Sequence, residues 1–190
     1  MRIIAGRHRG RTIRAPLGRD IRPTADRARQ ALFNILTHRS FEDSPFALEG
    51  ARVLDAFCGT GAMGIEALSR GARHVFFLDN NRVALGIARE NLQALSEDRR
   101  ATLFYADATR PPKGEPCNLV LLDPPYGAGL ALPALRAFAR HGWLAPDAVV
   151  VAELGAREEF APPEGFKLLE ERRYGAAKFV ILRYRPASEA

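Results

Sequence analysis

Four consecutive residues, Asp123-Pro124-Pro125-Tyr126, set a carboxylate, two rigid rings and an aromatic face directly after a short apolar run, Asn118 to Leu122. The NH2 group of an amide or a nucleobase is a poor nucleophile, because its lone pair is delocalised into the neighbouring π-system. Such a nitrogen reacts more readily when acceptors hold its hydrogens and it becomes more pyramidal. The Asp123 carboxylate can accept one N–H hydrogen bond, and the Pro124 carbonyl, aimed by the ring of Pro125, can accept the other. Tyr126 offers a planar substrate a face to stack on, worth roughly 1–3 kcal/mol per base. The prolines forbid both helix and further ladder pairing, so the strand stops there and Asp123 stands at its carboxyl end. Open α/β sheets hold their ligands at that edge. A tight turn after a strand would account for the prolines, but not for the acid before them and the tyrosine after them.

The elements that place this tetrapeptide follow a βαβα alternation. Val53-Leu54 leads to Asp55 and then to a glycine-rich turn, Gly59-Thr60-Gly61-Ala62-Met63-Gly64, and a helix through Ile65, Ala67 and Leu68 closes at Gly71. A strand from His74 to Leu78 ends at Asp79, a helix runs from about Arg82 to Leu95, and a strand from Thr102 to Tyr105 ends near Asp107. After the strand before Asp123 come a helix with Leu132, Leu135 and Phe138 and a strand from Ala148 to Leu154. Alternation of this kind implies an α/β fold, a doubly wound and mostly parallel sheet with helices on both faces. Two β-rich runs around Gly175, Lys167 to Tyr174 and Lys178 to Arg185, predict an antiparallel hairpin at one edge.

The glycine turn satisfies G-x-G-x-x-G in its proper strand-to-helix setting, and Asp79 ends the next strand where a ribose diol can be held. On those grounds alone a nicotinamide dinucleotide is a candidate. The charge at the loop discriminates: Asp55 precedes the glycines, where a pyrophosphate would be repelled and the amino group of a methionine moiety attracted. Asp107 is suitably placed for an adenine amino group. Asp-x-Phe-x-Gly-x-Gly, an acid after the second strand, another after the third and Asp-Pro-Pro-Tyr after the fourth together resemble the motif order of Rossmann-like, class I S-adenosylmethionine methyltransferases. The Asp-Pro-Pro-Tyr run is similar to the (Asp/Asn/Ser)-Pro-Pro-(Tyr/Phe/Trp) motif of those that act on amino groups. The resemblance implies Asp55, Phe57, Gly59, Thr60, Gly61, Asp79, Asn80, Asp107 and Ala108 as cofactor-binding residues, with Asp123, Pro124, Pro125 and Tyr126 as the catalytic set.

At 190 residues and 20.9 kDa the chain is long enough for one full core, and 47% hydrophobic content fits a globular domain. No apolar run is long enough to span a bilayer and no signal-peptide pattern opens the chain, so a cytoplasmic protein is expected. Cys58 and Cys117 are the only cysteines and lack metal-ligand spacing, which supports neither a disulfide framework nor a metal site. The net charge of +6 is unevenly spread: residues 1 to 39 carry ten arginines against Asp20 and Asp26, a balance of +8, and the remainder holds 18 basic and 20 acidic residues. Such an arm suits a polyanionic partner, with Arg2, Arg7, His8, Arg9, Arg11, Arg22, Thr24, Arg27 and Arg29 as candidate RNA contacts. Arg2 to Ala5 and Thr12 to Arg14 predict a small basic hairpin. A helix then follows to about Arg39, with Thr24 as N-cap and Asp26 in its first turn. Its Ala28, Ala31, Leu32, Ile35 and Leu36 share a packing face, and Arg27, Arg29, Gln30 and Asn34 lie nearer the other.

Arg22-Pro23-Thr24 with Arg27, Arg29 and Ala31-Leu32-Phe33-Asn34, then Leu54-Asp55-x-Phe57-x-Gly59-x-Gly61 and Glu66-Ala67-Leu68-Ser69-Arg70-Gly71-Ala72, resemble the RsmD family of bacterial guanine-N2 methyltransferases of small-subunit ribosomal RNA. The likeness covers nearly the whole chain. It implies S-adenosylmethionine as cofactor, guanine N2 as acceptor, 16S ribosomal RNA as partner and a monomer. Residues 1–45 would be a basic RNA-contacting extension and residues 46–190 the transferase domain. Cys58 and Thr60 depart from the small Ala and Ser common in the family. Adenine N6 of RNA or DNA is the rival acceptor, although a DNA enzyme would normally need a recognition domain for which this chain has no room. A protein glutamine methyltransferase would be expected to carry Asn at position 123. A non-catalytic RNA-binding module or an NAD oxidoreductase would leave Asp123 to Tyr126 unexplained.

Overall fold

A computed structural model describes residues 1–15, 23–38 and 46–186. Its centre is a seven-stranded sheet ordered β3-β2-β1-β4-β5-β7-β6. The strands are β1 (Arg52–Ala56), β2 (His74–Asp79), β3 (Ala101–Tyr105), β4 (Cys117–Leu122), β5 (Leu144–Gly155), β6 (Phe166–Tyr174) and β7 (Ala177–Tyr184). The first five are mutually parallel, and β7 pairs antiparallel with both β5 and β6. From β1 the chain winds outward through β2 and β3 and then returns to β4 on the other side of β1. The connections leaving the carboxyl ends of β1 and β4 therefore run in opposite directions, which makes this the switch point, at whose crevice such sheets take ligands.

The helices are α1 (Pro23–His38), α2 (Ala62–Ser69), α3 (Arg82–Ala94) and α4 (Ala131–Arg140). Strict alternation along the strands sorts the core into two layers. Val53, Val75, Phe77, Leu121 and Val151 point to the face covered by α1, α2 and α3. Leu54, Phe76, Leu78, Val120 and Val150 point to the other, where Ala134, Leu135 and Phe138 of α4 pack with Trp143. The third glycine of the loop sets how closely α2 approaches the sheet. A Cβ on Gly64 would lie 2.4 Å from the Phe77 ring. Gly64→Ala is therefore expected to lower stability by about 1–3 kcal/mol, seen as a lower urea midpoint with an unchanged slope; an unchanged midpoint would show that the ring can move aside.

The expected elements are present, with three differences of extent. The final parallel strand begins at Leu144 rather than Ala148, because β5 runs on through an irregularity: Asp147 has φ 60° and the β4–β5 register shifts between Cys117 and Leu119. A 3-10 turn at Asp98–Arg100 interrupts the approach to β3. The N-terminal hairpin is reduced to a single antiparallel bridge, Arg2 with Thr12, closed by Ile3 N–H to the Arg11 carbonyl at 3.0 Å and Gly10 N–H to the Ile3 carbonyl at 2.8 Å. Ile3 and Ile13 of this arm are buried in the same core layer as α1 and α2. Among the described helices none is long and apolar enough to cross a membrane.

Candidate active site

Asp55, Asp79, Asp123 and Glu153 occupy the carboxyl ends of β1, β2, β4 and β5, and by strand alternation all four leave the sheet on the α2 face. The crevice is therefore lined with acid. Asp55 is buried, and its Oδ2 accepts the Gly64 N–H at 2.8 Å, which pins the glycine loop down onto β1. Asp79 accepts the Gly59 N–H at 2.8 Å through Oδ2 and the Asn81 N–H at 2.8 Å through Oδ1, so one carboxylate orders both the loop and the start of α3. The loop itself is held in the left-handed region at Phe57 (φ 58°), Gly59 (φ 53°) and Gly61 (φ 79°). For Phe57 that conformation is strained, and such strain clusters at ligand sites. In front of Gly59 a Cβ would meet nothing within 4 Å, so a ligand can come against bare backbone there.

The acids perturb one another. Burial holds the Asp55 carboxyl well above the usual carboxylate range, and the neighbouring charges of Asp123 and Asp79 push it further up. A cation entering the crevice would relieve this repulsion, whereas a pyrophosphate would add to it. The donor set thus fits the sulfonium and ammonium groups of S-adenosylmethionine and does not fit a nicotinamide dinucleotide. Asp107 differs: it is exposed, and its Oδ1 accepts the Thr109 N–H and hydroxyl, both at 2.8 Å, bonds that lower its pKa. Ala108 beside it is buried and Asn80 is exposed at the rim.

The Asp123 N–H donates to the Ala56 carbonyl at 3.3 Å, tying the end of β4 to the end of β1 just before the prolines divert the chain. Tyr126 is 54% exposed, and its hydroxyl donates to Glu153 Oε1 at 2.7 Å. Burial and the bond to Glu153 raise the pKa of the phenol, and burial likewise raises that of Glu153. The turn closes where the Gly127 N–H donates to Glu158. Asp55, Asp123 and Glu153 share a small cavity with Met63, Val151 and Phe179. Asp123 and Tyr126 are thus drawn together with Asp55 and Asp79 at one sheet edge. Glu153 and Glu158 were not singled out in the sequence. Glu153 interrupts an otherwise apolar run that continues to Leu154, and its place near the carboxyl end of that strand was the available signal.

The basic arm departs most from expectation. Arg29, expected on the ligand side of α1, is 5% exposed. It donates to the Arg2 carbonyl at 2.6 Å and to Asp26 at 3.0 Å, so it braces the arm and faces no phosphate. Arg7 and His8 both reach Glu97, at 2.9 and 2.6 Å, and Arg7 also donates to the Leu68 carbonyl. Arg11 donates to the Ala94 carbonyl at 3.1 Å. Arg2, Arg9 and Arg27 are exposed. Thr24 is the second residue of α1, which begins at Pro23, and so is not the N-cap expected of it; its side chain, like Arg22, lies outside the described residues. Asn91, another residue the sequence did not flag, is buried on α3 and donates to the carbonyls of Arg14 and Thr60, both at 3.1 Å, which links the arm to the glycine loop.

Comparison with known proteins agrees with this arrangement. The profile of the family described as Conserved hypothetical protein 95 matches residues 1–183. The chain is 33% identical to the ribosomal RNA small subunit methyltransferase D of Haemophilus influenzae, over 94% of this chain and 91% of that protein. It is 36% identical to the Escherichia coli protein of the same name over 80% of this chain and 74% of that one. The solved structure of the Escherichia coli yhhF protein superposes with a TM-score of 0.83 at 31% identity, covering 98% of this chain and 99% of the other. Matches of this length include the basic arm and the terminal hairpin as well as the sheet that carries the acids, and the chain accordingly belongs to the RsmD family of S-adenosylmethionine-dependent methyltransferases.

Proposed function

We propose that this enzyme transfers the methyl group of S-adenosylmethionine to the exocyclic N2 amino group of one guanine in small-subunit ribosomal RNA, working as a monomer in the cytoplasm. The observation that carries the reading is the placement of Asp123, Pro124 and Tyr126 at the end of β4, directly across the switch point from the glycine loop of β1. The relatives named for small-subunit ribosomal RNA supply the substrate class, and the resemblance to their family supplies guanine N2.

On this reading the Gly59 to Gly61 loop, with Phe57 and Thr60, would hold the cofactor, Asp79 its ribose, Asp107 with Asn80 and Ala108 its adenine, and Asp55 its methionine end. The bound cofactor supplies an electrophilic methyl group on a sulfonium sulfur. Asp123 accepts one hydrogen of the guanine amino group and the Pro124 carbonyl, fixed by the Pro125 ring, accepts the other. The nitrogen lone pair is thereby withdrawn from the purine and aimed into the crevice. Tyr126 carries the flipped base on its ring, and its hydroxyl bond to Glu153 keeps that ring from swinging away. Unstacking a base costs a few kcal/mol, least for a nucleotide not already paired.

Residues 46–190 then form the transferase and residues 1–45 the RNA grip, with the exposed Arg2, Arg9 and Arg27 facing phosphate while Arg7, His8, Arg11 and Arg29 hold the arm in place. Changing Arg2, Arg9 and Arg27 together to Gln is expected to flatten the dependence of log K on log salt by about 0.7–0.9 per lost phosphate contact, with S-adenosylmethionine affinity unchanged; a slope equal to wild type would remove these side chains from the RNA interface. The function itself is tested by incubating small-subunit ribosomal RNA from cells lacking the gene with the enzyme and S-adenosylmethionine, and digesting the product to nucleosides. N2-methylguanosine is expected, and methylated adenosine or cytidine would overturn the assignment.

A further inference from the structure

Asp123 has a second acid directly beside it on the neighbouring strand. In the β4–β5 ladder Leu122 pairs with Ala152, so the next residues, Asp123 and Glu153, leave adjacent parallel strands side by side on the same face. They line one small cavity, together with apolar Met63, Val151 and Phe179. For Glu153, which is partly buried there, the charged form is costly, and a hydrogen-bonding partner must offset the loss of water. In Glu153 the Tyr126 hydroxyl donates to Oε1, one of the two oxygens with which a carboxylate can accept a donor. Nothing in the proposed chemistry at Asp123 requires this second acid. Asp123 and the Pro124 carbonyl already account for both hydrogens of an amino group.

The base that would be held there tells what a second carboxylate does. When the 2-amino group of guanine sits at Asp123, the neighbouring ring position is N1–H, a donor. In 2-aminopurine the amino group is the same and N1 is a bare acceptor. Adenine N1 and cytosine N3, which flank the amino groups of those bases, are acceptors too. An ionised carboxylate can only accept, so at that position it pairs with guanine and is set against the lone pair of every other amino-bearing base.

We propose that Glu153 is the residue that selects guanine, its carboxylate accepting the N1–H of the flipped base while Asp123 takes the adjacent amino group. The inference rests on the proposed reading of the site and adds to it the residue that sets base specificity. The Tyr126 hydroxyl holds Glu153 in place and joins the stacking ring to the group that reads the edge, so that ring, amino acceptor and edge reader form one connected surface.

The experiment compares guanine with 2-aminopurine, placed by ligation at the methylated position of small-subunit ribosomal RNA, using single-turnover methyl transfer by wild type and Glu153→Gln. Wild type is expected to favour guanine about a hundredfold, the scale of discrimination from one well-formed edge contact. Glutamine has nearly the same shape but can present either its oxygen or its NH2 group, so the preference is expected to fall to about tenfold or less, chiefly through a slower reaction with guanine. The ratio is the readout: equal loss on both bases, or a ratio unchanged from wild type, would overturn the role of Glu153 while leaving the guanine assignment standing. If wild-type enzyme formed no N2-methylguanosine on the guanine substrate, the functional reading would fall and this inference with it.

Discussion

Alanine at position 123 is expected to stop methyl transfer while leaving S-adenosylmethionine bound. The carboxylate faces the acceptor nitrogen, and the hydrogen bond it makes strengthens as that nitrogen becomes pyramidal and acquires positive charge. Loss of a charge-assisted interaction of this kind should cost on the order of 3 kcal/mol in the transition state, or about a hundredfold in rate. The fold should tolerate the change, because Asp123 is exposed and its backbone N–H still reaches the Ala56 carbonyl. One electrostatic consequence follows from the crevice. Asp123 is among the charges that push the Asp55 carboxyl up, so its removal should let Asp55 ionise more readily. Calorimetry with S-adenosylhomocysteine and single-turnover kinetics on ribosomal RNA separate the two effects. Near-normal turnover would remove Asp123 from the chemistry, and a parallel collapse of cofactor affinity would place it at the cofactor instead.

The parts of this enzyme that were legible in its sequence are those written in short-range patterns. Apolar runs ending in acids revealed the parallel strands, and Gly59, Gly61 and Gly64, set between an apolar run and a helical pattern, marked the turn into α2. The prolines at 124 and 125 ended β4 without any information from the rest of the fold. The parts that stayed hidden depend on partners far along the chain. Arg29 looked like a surface residue because its helix position allows that, but Glu66, Asp26 and the Arg2 carbonyl draw it inward. His8 reads as one more basic residue until Glu97, 89 positions away, is found beside it. Glu153 follows a stretch of β5 that is apolar from Ala148 to Ala152, and only the β4–β5 register shows it next to Asp123. Charge composition predicted a basic arm, but could not say which arginines are spent on holding the arm to the protein.

That distinction sets up the largest expected effect on stability, at Glu66. This carboxylate is fully buried on α2 and gathers the N-terminal arm to the transferase: its Oε2 accepts the Ile4 N–H at 2.8 Å, and its Oε1 accepts the Ala5 N–H at 3.1 Å and Arg70 Nε at 2.7 Å. Arg29 Nε stands 3.9 Å away, and Arg70 also lies over the Phe33 ring of α1 at 5.0 Å. One acid therefore balances two buried guanidinium groups and fixes a chain segment 61 to 62 residues distant. Removing one partner from such a cluster leaves the others charged and out of water, so Glu66→Ala is expected to cost about 3–5 kcal/mol. Glu66→Gln should cost less, because it keeps the volume and one acceptor oxygen, but its NH2 group must face either a backbone N–H or Arg70. Chemical denaturation measures the cost, and amide exchange shows where it falls. Ile4, Ala5 and His8 should exchange faster in both variants, since the His8 N–H is held by Ser69, one turn along the same helix. If the arm is the RNA grip, Glu66→Gln should also weaken RNA binding while the glycine loop keeps its affinity for S-adenosylmethionine. Wild-type stability and wild-type exchange at Ile4 and Ala5 in Glu66→Ala would show that the buried isoleucines, Ile3 and Ile13, seat the arm unaided.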